Sequence, residues 1–263
     1  MEHRRGDMLG IMADMPLDLL FAAAGITLMA GFVKGAVGFA MPMIMISGLG
    51  SLFPPEIALA ALILPTFIAN LIQSLGDGLA VARDVVRRFW IFIVMMLIFL
   101  ASSAQLVNLI PDQILFLIIG APVVAFALFQ LGGWRLRLDP VNRLRDELTL
   151  GGLAGFVGGL SAVWGPPLVA YLVAIDVEKR EAIRAQGVIY GLGALALLIA
   201  HLESGVLNAA TLPLSAAAIP PALAGLWLGS RLHNRMPQAT FRRAMLVVLA
   251  VAGFNLVRRG LMG

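Results

Sequence analysis

Apolar residues run in long blocks along this chain, and polar residues gather in short intervals between them. Eight blocks stand out, at roughly 17–52, 57–79, 89–110, 114–132, 148–175, 182–202, 209–230 and 241–257. A helix needs about 20 apolar residues to cross a bilayer core of roughly 30 Å. The blocks therefore predict membrane-crossing helices, and the first, with about 36 residues, is longer than one crossing requires. The intervals FPPE (53–56), GDGLAVARDVVRR (76–88), NLIPDQ (108–113), RLRLDPVNRLRDE (135–147), DVEKRE (176–181), HLESG (201–205) and HNRMPQ (233–238) each carry Pro, Gly or charge, as connections do. Arg242, Arg243, Arg258 and Arg259 flank the short last block, where arginines can snorkel to the membrane interface.

The pattern repeats. AGFVKGAVGFAMP at 30–42 aligns without a gap on AGFVGGLSAVWGP at 154–166, with six of thirteen positions identical: Ala30/Ala154, Gly31/Gly155, Phe32/Phe156, Val33/Val157, Gly35/Gly159 and Pro42/Pro166. Pro111 before the fourth block echoes Pro237 before the eighth. This divides the chain into a first transmembrane repeat at 1–134, a connecting loop at 135–147 and a second repeat at 148–263. Transporters are commonly built from such repeats, with the substrate site at the repeat interface.

Basic loops face the cytoplasm, which tests the relation of the halves. Loops 76–88, 135–147, 176–184 and 231–243 are rich in Arg and Lys, whereas 108–113 and 201–205 have none. If all eight blocks crossed, the basic loops would divide between the two sides. If blocks one and five enter and return on the same side, all four basic loops share one side and both uncharged loops the other. The fold expected is an all-α polytopic membrane protein with eight hydrophobic segments in two inverted four-segment repeats, segments one and five being broken or re-entrant. This arrangement places Arg4/Arg5 and Arg258/Arg259 outside.

Composition narrows the class. The chain has 263 residues, 60% hydrophobic and 13% charged, with a mean hydropathy of +0.94, against about 25% charged residues in soluble domains. The start does not read as a cleaved signal peptide, because Asp14 and Pro16 interrupt its apolar stretch. A net charge of +4, carried in loops, argues for orientation rather than for nucleic-acid binding. With no cysteine and three scattered histidines, no thiol chemistry, metal cluster or nucleophile–base pair can be assembled. There is no phosphate-binding loop for ATP. The chain reads as a non-enzyme without cofactor or metal. Its partners are a small anion and the lipid bilayer, and its small-residue helix faces could serve a homodimer or only the internal fold.

The candidate chemistry lies in the two glycine-rich breaks. Non-helical backbone at membrane depth must be buried in protein or line a watery cavity. A half-helix N-terminus offers N–H donors and positive partial charge to an anion. Gly35 and Gly38, then Gly158, Gly159 and Gly165, would let backbone approach such a ligand, and Pro42, Pro166 and Pro167 suit the first turn of a returning helix. Lys34, one of two lysines, would add a full positive charge. Arg184, Gln186 and Tyr190 lead into the sixth block, and Arg184 offers a fork of donors suited to oxyanions. Asn70 and Gln73, three apart, share a face of the second block. Ser161 and Trp164 are candidate walls at the second break. Each glycine has a plainer reading beside this one, since Gly31-x-x-x-Gly35, Gly151-x-x-x-Gly155 and Gly155-x-x-x-Gly159 are also helix-packing spacings. No Asp or Glu falls in the middle of a block, so no carboxylate stands out as a proton carrier.

AGFVKGAVGFAMPMI, PPEIALAALILPTFIANLIQS, GGLAGFVGGLSAVWGPPLVAYLV and REAIRAQGVIY together resemble the TauE/SafE, or sulfite exporter, family over residues 20 to 258. The resemblance implies a secondary transporter of the bacterial inner membrane for sulfite, sulfoacetate or related organosulfonates, working by alternating access around the two breaks. An anion channel, or a carrier for another small anion, remains the alternative. Lys34 aligns with Gly158 and Arg184 with Ala60, which favours one asymmetric site over two equal ones.

Overall fold

A computed structural model describes residues 16–104, 112–133, 138, 140–161, 165–203 and 205–262. Among them every regular element is helical. In chain order they are α1 (Leu17–Val37), α2 (Met41–Leu49), α3 (Pro55–Leu75), α4 (Leu79–Arg88), α5 (Trp90–Ala104), α6 (Asp112–Leu131), α7 (Arg143–Ser161), α8 (Gly165–Ala174), α9 (Lys179–Glu203), α10 (Leu212–Ala217), α11 (Ile219–Arg235) and α12 (Gln238–Met262), with a 3-10 turn at Pro140–Asn142 ahead of α7. Among the described residues, five stretches are long and apolar enough to cross a membrane: α1, Ile57–Leu75, α9, Leu212–Arg235 and α12. A sixth forms if α4 and α5, bent by 79°, make one span. The chain is a multi-pass membrane protein, and the exposed Phe21, Met29, Ile98, Phe129, Trp227, Val251 and Phe254 fit a surface that meets lipid rather than water.

Segment one is broken between Val37 and Met41, and in segment five the residues at the same alignment positions, 162–164, lie outside the described residues. Val37 and Ser161 end the helices before these positions, and Met41 and Gly165 begin those after them. At the first break Gly38 has φ 91° and Ala40 φ 74°, both left-handed, so the helix cannot continue through them. The chain then doubles back. A side chain added at Gly48 would strike Ile26, whereas a straight helix would hold these residues about 33 Å apart. With nine residues, α2 reaches about 13 Å, less than half a bilayer core.

The chain forms two compact units. One takes residues up to Gln73 together with Gly191–Arg235; the other takes Ser74–Tyr190 and the residues from Met236 onward. Each draws on both sides of the connecting loop. In the first, α1 packs along α11; in the second, α5 packs along α7 and α6 along α12. Exchanging the halves, so that α1 matches α7, α5 matches α11 and α6 matches α12, turns the first pair into the second and the third into itself.

Small residues make these contacts close. Gly31 and Gly35 of α1 meet Gly225 and Gly229 of α11, and a Cβ at any of the four would overlap backbone of the facing helix. Gly151 and Gly155 of α7 lie as tightly on the backbone of Phe92 and Met96 in α5. Lipid tails are as apolar as leucine, so close van der Waals packing of this kind drives helix association in a membrane. In the first unit Ala30, Met41, Met45, Leu49, Ala61, Leu62, Ala69 and Ala222 form a buried apolar core around the returning helix.

Several intervals read as connections are helical instead. Residues 79–88 form α4, because Arg83, Asp84, Arg87 and Arg88 fall on an exposed face while Val85 is buried. The polar loop 135–147 is helical from Arg143, where Arg143 pairs with Glu147 one turn on. Segment seven is two helices that part at Ala218. Arg242 does not snorkel: its guanidinium bonds Asp176 at 3.1 Å and Gln130 at 3.0 Å.

Candidate functional site

The first break gathers four of the sequence-predicted residues. Lys34, on the last turn of α1, is buried, with 2% of its surface exposed. Its Nζ donates to Asn70 Oδ1 at 2.6 Å and to the carbonyl of Gly38 at 3.4 Å. Gln73 Nε2 donates to the same Gly38 carbonyl, also at 3.4 Å. The reason is local: α1 ends in a left-handed residue, which turns the Gly38 carbonyl out of the helical ladder and toward α3. There Asn70 and Gln73 share a face.

Thr66, one turn before Asn70, extends that face. It is buried, and its hydroxyl has no hydrogen-bond partner among the described residues. The i, i+4, i+7 spacing of Thr66, Asn70 and Gln73 is the signal that identifies this polar stripe, and sequence reading picked out only its last two members. The N-terminus of α2 completes the place. Ala40 provides no side-chain cap, and Pro42 lies in the first turn, where no N–H is needed. A buried amine and an uncapped helix N-terminus at one break suit a small anion.

Gly35 lies against the neighbouring helix. Its open face is covered by Leu226, Gly229 and Ser230 of α11.

In the second half, Gly165 begins α8 and its carbonyl accepts the Tyr190 hydroxyl of α9 at 3.0 Å. Gln186 is fully buried one turn before Tyr190. Ser161 ends α7, and its side chain lies outside the described residues, as does all of Trp164.

Arg184 turns elsewhere. Its Nε donates to Asp77 Oδ2 at 2.6 Å, in the turn between α3 and α4, and Arg180 Nη2 donates to Asp77 Oδ1 at 2.8 Å. These bonds, that of Arg184 foremost, hold the Asp77 carboxyl down to about 2. Beside them Arg88 pairs with Glu181.

A second polar cluster was hidden in the interval read as a loop. Glu147 is wholly buried at the head of α7, and its Oε1 accepts from Arg143 Nε at 2.7 Å and from Tyr171 Oη at 3.0 Å. Tyr171 stacks on Phe92 and meets Phe89 edge-on. Arg143 also donates to the Arg88 carbonyl at the end of α4. This cluster ties α7 and α8 to the bend between α4 and α5.

Comparison with protein families finds one whose description is sulfite exporter TauE/SafE, matched over residues 23–256. Comparisons with curated proteins and with solved structures give no match.

Proposed function

The chain belongs to the sulfite exporter TauE/SafE family, and from that premise we propose that it exports small sulfur-containing anions such as sulfite or organosulfonates by alternating access. The family implies a membrane transporter of sulfur anions, in keeping with the reading of this chain as a non-enzyme. The observation that carries the finer proposal is Lys34: a buried amine at a helix break, held by the neutral oxygens of Asn70 and Gly38 beside an uncapped helix N-terminus. Sulfite and sulfonates need positive charge and N–H donors from the protein.

In this reading Lys34, Gly38, Asn70 and Gln73, with Thr66, bind the anion at the first break, and Ser161, Trp164, Gly165, Gln186 and Tyr190 serve the second. The two repeats, 1–134 and 148–263, are inverted. The identities between 30–42 and 154–166 and the reciprocal helix pairing support an exchange of halves, and the basic loops support the inversion. The cell membrane in question is a bacterial inner membrane, and a homodimer is compatible with the apolar outer faces.

The test is flux and stability with Lys34→Met in purified, full-length protein. The parent is expected to gain thermal stability with sulfite or sulfoacetate and not with acetate, and to show saturable flux in liposomes that is stimulated by anion on the far side. Truncating one partner of a buried charged contact costs about 2–5 kcal/mol, roughly 30-fold in affinity or more. Unchanged binding in Lys34→Met removes this site. Flux that does not saturate moves the chain to the channel reading.

A further inference from the structure

We propose that Arg180 and Arg184 form a second, peripheral oxyanion site, and that Asp77 is a built-in anion which occupies it until substrate displaces it. The inference rests on the reading of the chain as an anion transporter.

Arg180 and Arg184 are one turn apart on α9 and so share a face. Each holds a different oxygen of the same carboxylate, at 2.8 and 2.6 Å. Two guanidinium groups that bracket two oxygens of one anion form a fork suited to a carboxylate, and equally to sulfite or a sulfonate headgroup. The carboxylates of Glu178 and Glu181 also act on Arg184, so the clamp is charge-balanced while Asp77 is in place and is open to another anion only when Asp77 leaves. Glu181, the acidic neighbour on α9, is engaged by Arg88.

The occupant is replaceable. The side chains of Asp77, Arg180 and Arg184 are 32%, 65% and 27% exposed, and ion pairs so close to water are worth only about 0–1 kcal/mol. Asp77 sits in a short turn next to Gly78, a glycine with open space around it. Other basic residues nearby are tied more firmly into the structure. Lys179 Nζ donates to the Met236 carbonyl at 2.7 Å, and Arg242 bridges Asp176 and Gln130. Of these cations, Arg180 and Arg184 are the pair whose shared partner is itself a small oxyanion on an exposed turn. Incoming substrate would exchange with Asp77, and release of the Asp77 turn would accompany capture.

The experiment uses full-length protein in detergent, with sulfite titrated against chloride at constant ionic strength and pH 8 and thermal stability as readout. It is run in parent and Lys34→Met backgrounds, so that the first-break site is silenced in one. Asp77→Asn is expected to lower the half-saturating sulfite concentration about 2–5-fold in both backgrounds, a gain of up to ~1 kcal/mol. Asp77→Ser, a smaller uncharged variant, should move the same way, and adding Arg184→Gln should abolish the gain. An unchanged or weakened sulfite response in both Asp77 variants overturns the clamp. The two proposals fail separately: loss of response in Lys34→Met with no effect of Asp77→Asn leaves the Lys34 site standing alone. A full response in Lys34→Met that Asp77→Asn sharpens leaves the clamp alone.

Discussion

Gly35 separates a packing role from a binding role within one residue. An added Cβ would overlap the Leu226 carbonyl oxygen and lie 2.8 Å from Ser230 N and 3.0 Å from Gly229 Cα. All three obstacles are backbone, so no rotamer change can clear them. For Gly35→Ala, α1 and α11 would have to part by about 1 Å, and a gap of that size forfeits roughly a quarter to a half of each contact's attraction. Overpacking of this kind costs about 1–3 kcal/mol. Gly25, on the same helix, has nothing within 4 Å of its added Cβ. Gly25→Ala should therefore be neutral, or stabilising by up to about 1 kcal/mol through helix propensity. Thermal denaturation in detergent, scored beside sulfite flux in liposomes, reads both quantities. Gly35→Ala should lose stability and flux together, and Gly25→Ala neither. A Gly35→Ala protein as stable as the parent yet unable to move sulfite would refute the packing argument and return Gly35 to the anion site.

Two further outcomes test the polar clusters. Tyr171→Phe keeps the stacking on Phe92 but removes a donor to the buried Glu147 carboxylate, and should cost about 1–3 kcal/mol of stability; an unaltered melting point would show that the bond carries nothing. Asp77 has a folded value of about 2 against an ordinary 3.8, so its ion pairs contribute fully above pH 4 and are lost as pH falls toward 2. Because the pairs are partly exposed, the loss should not exceed about 1 kcal/mol. It should appear as an acid-limb slope in the parent that Asp77→Asn lacks, while both proteins stay level between pH 5 and 8.

What the sequence alone determined is the local and the repetitive. Long apolar runs dictate helices, since a buried backbone in lipid must satisfy its own hydrogen bonds. The position of the first break follows from Gly38 and Pro42, whose conformational limits act within a turn of the chain. Lys34 and the Asn70–Gln73 face were legible because an amine or amide inside an apolar run is costly enough to need a reason.

What only the tertiary structure decided is which partner each side chain finds. The spacing Gly31-x-x-x-Gly35, by itself more often packing than binding, meets the backbone of Ala222, Leu226 and Gly229, which arrive from the far end of the chain. Arg184 offers the same fork to substrate or to a carboxylate, and the turn that carries Asp77, 107 residues earlier, supplies the carboxylate. Glu147 looks like part of a charged loop until Tyr171 and Arg143 close over it. Helix formation is set by interactions within four residues. Burial and charge pairing depend on segments that only the fold brings together.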